Sequence, residues 1–171
     1  EHFICRIPDL AEHYLFANDD TFINKPVTPE FFFAKDGFPI IRFSRRPFRK
    51  LYIKFREKIL KKELSHYNQI TQNSARLVER KYNTYYSGKA HHNIDGYLKS
   101  DCIHTEEVFK DEIEVTLTNH VRSSNDIQRH LYYYVSLAEK RGHLSYVTQK
   151  TSFRFHIHNQ KHYSKLEKYN P

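Results

Sequence analysis

The chain has 171 residues, enough for one domain with its own buried core, and 28 Lys and Arg against 20 Asp and Glu. The resulting net charge of +8 points to an anionic partner: nucleic acid, a phosphorylated ligand or lipid headgroups. With only 4 Gly and no Walker-type or dinucleotide-binding glycine motif, a glycine-rich nucleotide cradle is excluded, and 2 Cys exclude a disulfide framework or a cysteine metal site.

The elements follow in chain order. Pro8 interrupts any helix over residues 1–11. Tyr14-Leu15-Phe16-Ala17 reads as a buried strand that stops at the polar cluster Asn18-Asp19-Asp20. Thr28-Pro29-Glu30 reads as a helix start, with Thr28 as cap and Pro29 at the first helical position. Asp36-Gly37 marks a turn before a strand over Phe38–Phe43. From Phe48 to Tyr85 the pattern is helical and heavily basic, ending at Ser87-Gly88.

Thr105-Glu106-Glu107 is expected to open a further helix, its acidic residues favoured at the positive end. Ser123-Ser124-Asn125-Asp126 is expected to cap another, with Ile127, Leu131, Tyr134, Val135 and Leu137 on its apolar face and Gly142 as its stop. Ser145–Gln149 and Ser152–His158 read as strands, and the tail from Lys161 as a polar helix. Alternation of strands and helices predicts an α/β domain, and 13 Phe with 13 Tyr predict an aromatic core.

Five constellations could carry chemistry. Asn18-Asp19-Asp20 ends a strand, where ligands sit in open α/β sheets; its carboxylates suit a divalent cation or a general base, although spacing alone favours a solvated turn. His91-His92-Asn93, with Asp95, could donate to phosphate oxygens or be surface histidines. Arg122 directly before the Ser123–Asp126 cap would join a guanidinium fork to free helix N–H groups, a phosphate-binding combination; the alternative is an Arg paired to a carboxylate. His156 and His158 would share a strand face, but no third ligand accompanies them. The basic helix from Phe48 to Lys62 could rest on anionic lipid or simply be a solvated face.

Taken in order, these stretches resemble a known family. Arg6-Ile7-Pro8-Asp9-Leu10-Ala11-Glu12-His13-Tyr14-Leu15-Phe16-Ala17-Asn18-Asp19-Asp20, with Pro26-Val27-Thr28-Pro29 and Phe31-Phe32, is similar to the second conserved region of Stealth proteins. These include bacterial capsular polysaccharide phosphotransferases and the eukaryotic N-acetylglucosamine-1-phosphotransferase. His92-Asn93-Ile94-Asp95, then Phe109, then Val121-Arg122-Ser123-Ser124-Asn125-Asp126-Ile127, resembles the third region, although the family's His-x-Pro-His form stands here as Lys89-Ala90-His91-His92.

The resemblance implies a Rossmann-like mixed sheet flanked by helices. The second region would span about 1–43, a basic helical insert about 48–87 and the third region about 89–142. Signatures of the family's first and fourth regions are missing, so the sequence is expected to be an excerpt of a longer catalytic domain.

The implied reaction moves a hexose-1-phosphate from a UDP-sugar to a sugar hydroxyl on a growing polysaccharide and releases UMP. By resemblance Asp20 is the base, His92 and Arg122 hold the phosphoryl oxygens, and Glu1, Asn18, Asp19, His91 and Asn125 line the substrates. A Mg²⁺ or Mn²⁺ ion on the diphosphate is expected, with unknown ligands. The expected location is the cytoplasm, peripheral on the anionic surface of the inner membrane through the chain's basic surface, with no nucleic acid as partner. Two alternatives stay open: a metal-dependent glycosyltransferase that releases UDP, and a non-enzymatic module that binds polyanions.

Overall fold

The structure, a computed structural model, describes residues 2–19, 21–90, 94–148 and 150–152. Among these, the strands are β1 (His13–Phe16), β2 (Ile40–Ser44), β3 (Lys89–Ala90), β4 (Asp95–Leu98) and β5 (His143–Tyr146). The α-helices are α1 (Arg49–Lys58), α2 (His66–Tyr82), α3 (Lys99–Val108), α4 (Lys110–Thr118) and α5 (His130–Ala138). β1 and β4 form an antiparallel pair. β2 lies between β3, antiparallel to it, and β5, parallel to it, with Ile40 opposite His143. The expected α/β architecture, a mixed sheet flanked by helices, is therefore present.

The core forms around α5. Its residues from His130 to Leu137 are all buried, as a helix apolar on every side requires. Leu131, Tyr134 and Val135 pack with Ile41 and Phe43 of β2 and with Ala75 and Val78 of α2. The aromatic core expected from composition is real: Tyr134 meets Phe43 edge to face at 5.5 Å and stacks on Tyr86 at 5.8 Å. Gly88 is needed beside this cluster, because a Cβ there would sit 2.6 Å from Cδ2 and 2.7 Å from Cβ of Phe43.

Several expectations are corrected. The helical stretch from Phe48 to Tyr85 is two helices. α1 closes where the Leu60 and Lys62 amides turn back to the carbonyls of Phe55 and Arg56 and Lys61 takes a left-handed φ of 47°. The helix expected at Thr105 already starts at Lys99, and Thr105 and Glu106 are buried inside it. Its start is capped by a distant residue: Glu12 accepts from the Ser100 amide at 3.2 Å and from the Ser100 hydroxyl at 2.5 Å.

Ser123–Asp126 is a turn, not a helix cap. Asp126 turns its carboxylate back onto the Ser123 amide at 2.9 Å, a local bond that competes with helix formation, and α5 begins only at His130. Thr28-Pro29 opens a single 3₁₀ turn, Pro29–Phe31. β1 is half-exposed, not buried, and antiparallel, so the rule for ligands beyond parallel strands does not apply to it. The strand expected at Ser145–Gln149 runs over His143–Tyr146, directly after Gly142. Ser152 lies in no strand, and the rest of the Ser152–His158 strand and the tail from Lys161 lie outside the described residues.

Candidate active site at the β1–β4 ladder end

The two sequence stretches singled out for chemistry border one end of the β1–β4 ladder. Phe16, the last residue of β1, pairs with Asp95, the first of β4. Asn18 follows Phe16 by two positions, and Ile94 precedes Asp95. The described neighbours of Asp20 and of the His91–Asn93 stretch therefore meet at the same ladder end. Asp20, His91, His92 and Glu1 themselves lie outside the described residues.

At that end sits a buried ion pair. Arg129 donates from Nη1 to Asp95 Oδ2 at 3.3 Å and to the Tyr97 hydroxyl at 3.0 Å. The Arg129 guanidinium carbon lies 4.4 Å from the centre of the Phe16 ring, a cation–π contact that ties the pair to β1. Tyr97 is sandwiched between Tyr133 at 4.5 Å and Tyr14 at 5.5 Å. Burial pushes the Asp95 carboxyl up to about 7, with the Arg129 charge opposing that rise. A small cleft beside the pair is lined by Ile4, Tyr14, Phe16, Tyr97, Arg129 and Tyr132.

The Arg-Ile-Pro stretch is anchored next to this cleft. Arg6 donates to Glu106 from Nε at 3.1 Å and from Nη2 at 2.9 Å, and the Tyr132 hydroxyl donates to the same carboxylate at 3.1 Å. Cys5 points its thiol at Glu106 as well, and burial raises that thiol to about 12, so it stays protonated. Cys102, hydrogen-bonded to Tyr14 at 3.1 Å, is raised to about 12 for the same reason. Both cysteines are free, buried structural thiols.

Arg122 and Asn125 lie exposed on the loop between α4 and α5. That loop is braced from two sides. Asn73 of α2 donates to the carbonyls of Ser124 and Asp126 at 2.8 and 3.0 Å, and Asn119 donates to Asn125 at 3.0 Å and Asp126 at 2.7 Å. Arg122 therefore has no helix N-terminus beside it, contrary to expectation. The loop ends at Arg129, which reaches the ladder end. Among the described residues no three His, Cys, Asp or Glu side chains converge as a metal site.

Sequence reasoning missed Arg129. Its only local signal was a basic pair, Arg129-His130, opening an otherwise apolar helix. Asp95 was noted beside the histidines, but its burial and its partner depend on a fold contact across 34 positions.

The chain is 31% identical over 124 residues to the capsular polysaccharide phosphotransferase fcs1 of Haemophilus influenzae, covering 71% of this chain and 32% of that protein. It is 29% identical over 138 residues to the exopolysaccharide phosphotransferase CpsY of Mycobacterium leprae, covering 80% of this chain and 24% of that one. Over 36 residues, 21% of the chain and 11% of the relative, it is 53% identical to the exopolysaccharide phosphotransferase cps2G of Lactiplantibacillus plantarum. No family model matches the chain. These relatives define a class, the phosphotransferases of bacterial polysaccharide synthesis. Within that class, the stretches of this chain that resemble the Stealth family are in keeping with these relatives. The chain spans about a third of the length of the first relatives it matches.

Proposed function

We propose that the chain is the central part of an enzyme that transfers a hexose-1-phosphate from a UDP-sugar to a sugar hydroxyl of a growing polysaccharide. The observation that carries this reading is the ladder end. The chain leading to Asp20 and the chain leaving His92 border it together, beside the buried Arg129–Asp95 pair. In the reaction the acceptor oxygen attacks the β-phosphorus, the bond to UMP breaks, and the sugar C1–O bond stays intact. Asp20 takes the hydroxyl proton, and His92 and Arg122 hold the phosphoryl oxygens as charge shifts onto the leaving group. Glu1, Asn18, Asp19, His91 and Asn125 line donor and acceptor. A Mg²⁺ or Mn²⁺ ion would neutralise the diphosphate. Among the described residues Asn18 and Asp19 carry hard side-chain oxygens at the ladder end and the Asp95 carboxylate is held by Arg129, so the diphosphate itself would supply most of the ligands.

The enzyme would work at the inner face of a membrane. Phe48, Leu51, Tyr52, Phe55 and Ile59 form an exposed apolar stripe at helical spacing along α1 and its ends, flanked by Lys54, Arg56, Lys58, Lys61 and Lys62. That combination suits an anionic lipid surface. Among the described residues no helix is long and apolar enough to cross a membrane.

The test is a set of UDP-sugars offered to the natural full-length protein with a polysaccharide acceptor. The expected products are UMP and a phosphodiester signal in phosphorus-31 NMR. Asp20→Ala, His92→Ala and Arg122→Ala are each expected to lower the rate by at least about 100-fold. Release of UDP would instead establish a glycosyltransferase.

A further inference from the structure

A second cluster, away from the Arg129–Asp95 pair, holds buried positive charge without a counter-ion among the described residues. Arg49, at the start of α1, is only 9% exposed, and both terminal guanidinium nitrogens are buried beside the Tyr134 hydroxyl with no carboxylate among the described residues to balance them. No described carboxylate pairs with it, whereas the adjacent Lys50 is paired to Glu79 and Arg76 to Glu57. Beside it lies the Tyr134 hydroxyl, which spends its proton on the Gly88 carbonyl at 2.9 Å. On the other side of Tyr134 is His130, fully buried, whose Nδ1 lacks a partner among the described residues. His130 Nε2 meets the Tyr67 hydroxyl at 3.4 Å, and the Lys89 ammonium lies 3.9 Å from the centre of the Tyr67 ring.

Burial, helped by the positive charges of Arg129, Arg49 and Lys89, holds His130 down at about 3. The imidazole is therefore neutral, able to donate one hydrogen bond without adding charge. A buried guanidinium left unpaired costs several kcal/mol by general estimates, so a fold that keeps one has a use for an anion there.

We propose that Arg49, Lys89 and His130 form a receptor for a phosphate-class oxyanion. The guanidinium offers a two-pronged fork, the ammonium a point charge and the imidazole a single donor, the set that phosphate oxygens accept. The three residues come from α1, β3 and α5, so the site forms only when the mixed sheet and α5 are assembled. Identifying that anion with the phosphates of a sugar donor rests on the function proposed above; the site itself does not.

The experiment titrates inorganic pyrophosphate into the natural full-length protein by calorimetry at low ionic strength. The variants are Arg49→Gln, Arg49→Lys, Lys89→Gln and, as a surface control, Arg76→Gln. Arg49→Gln is expected to weaken pyrophosphate by about tenfold or more, the value of one charge-assisted contact, with Arg49→Lys between it and the natural protein and Arg76→Gln unchanged. Without pyrophosphate, Arg49→Gln is expected to melt no lower than the natural protein, because it removes an unpaired buried charge. Unchanged pyrophosphate affinity in Arg49→Gln overturns the proposal. If Arg49→Gln does not fold, unchanged affinity in Lys89→Gln overturns it. Pyrophosphate binding lost with Arg49, in a protein that releases no UMP from any UDP-sugar, keeps this site and removes the transfer reaction. UMP release with pyrophosphate affinity indifferent to Arg49 does the reverse.

Discussion

Arg129 and Asp95 face each other at 3.3 Å with their side chains 10% and 8% exposed, joining the loop after α4 to the first residue of β4. Neither charge has bulk water around it, so each depends on the other. At pH 8, where Asp95 is ionised, Arg129→Gln is expected to cost about 3–5 kcal/mol of stability, because a buried carboxylate loses its cation. Chemical denaturation of the two proteins at that pH measures the difference. A cost near that of a surface substitution would mean that the pair is not buried in solution.

The same carboxyl predicts a pH dependence of stability. Its folded value is raised by burial to about 7, against an ordinary carboxyl value of 3.8. Folding therefore favours the protonated form. The stabilisation is complete below the unfolded value and is lost as the pH rises through the folded one. Denaturation midpoints are expected to fall between about pH 4 and about pH 7 relative to Asp95→Asn, which carries no titrating group there. Parallel curves for the two proteins across that window contradict the assignment.

Gly88 stands where a methyl group would overlap Phe43. Gly88→Ala is expected to destabilise by about 1–3 kcal/mol, since the overlap reaches the Phe43 Cβ and cannot be relieved by ring rotation alone. Thermal melting checks this, and Phe43→Leu in the same chain is expected to recover part of the loss.

The apolar stripe on α1 predicts lipid binding that stability assays do not register. Leu51→Ser with Phe55→Ser is expected to weaken binding to vesicles containing anionic lipid by about tenfold or more while leaving the melting temperature unchanged, because both side chains are exposed in the fold. Vesicle flotation in low and high salt measures the effect. Equal binding by the natural and doubly substituted proteins would leave the stripe without a membrane role.

What could be read from the sequence was local. The strand before Asn18, the turn at Asp36-Gly37 and the apolar face of α5 all follow from residue spacing and turn chemistry, and the structure carries them. What failed depended on partners far along the chain. The start of α3 is fixed by Glu12, 88 positions away from Ser100, so the local signal at Thr105 misled. Ser123–Asp126 looked like a cap because Ser, Asn and Asp cap helices, but the same side chains close turns, and Asn73 and Asn119 hold them in that form. For the site, the resemblance supplied Asn18, Asp19, Arg122 and Asn125. Arg129 and Arg49 could not be found that way, because a lone Arg in a basic sequence shows neither its burial nor whether a counter-ion stands beside it.

The parallel pairing of β2 with β5 sets an order of events during synthesis. Ile40 waits for His143 before its strand has a neighbour on that side. While the ribosome makes the intervening residues, β2 has a bare edge there, and such edges recruit other chains. The contact between remote positions also slows folding, because a long loop must close before the sheet gains anything. A nascent chain stopped short of His143 should therefore need a chaperone, and one extended past Tyr146 should not.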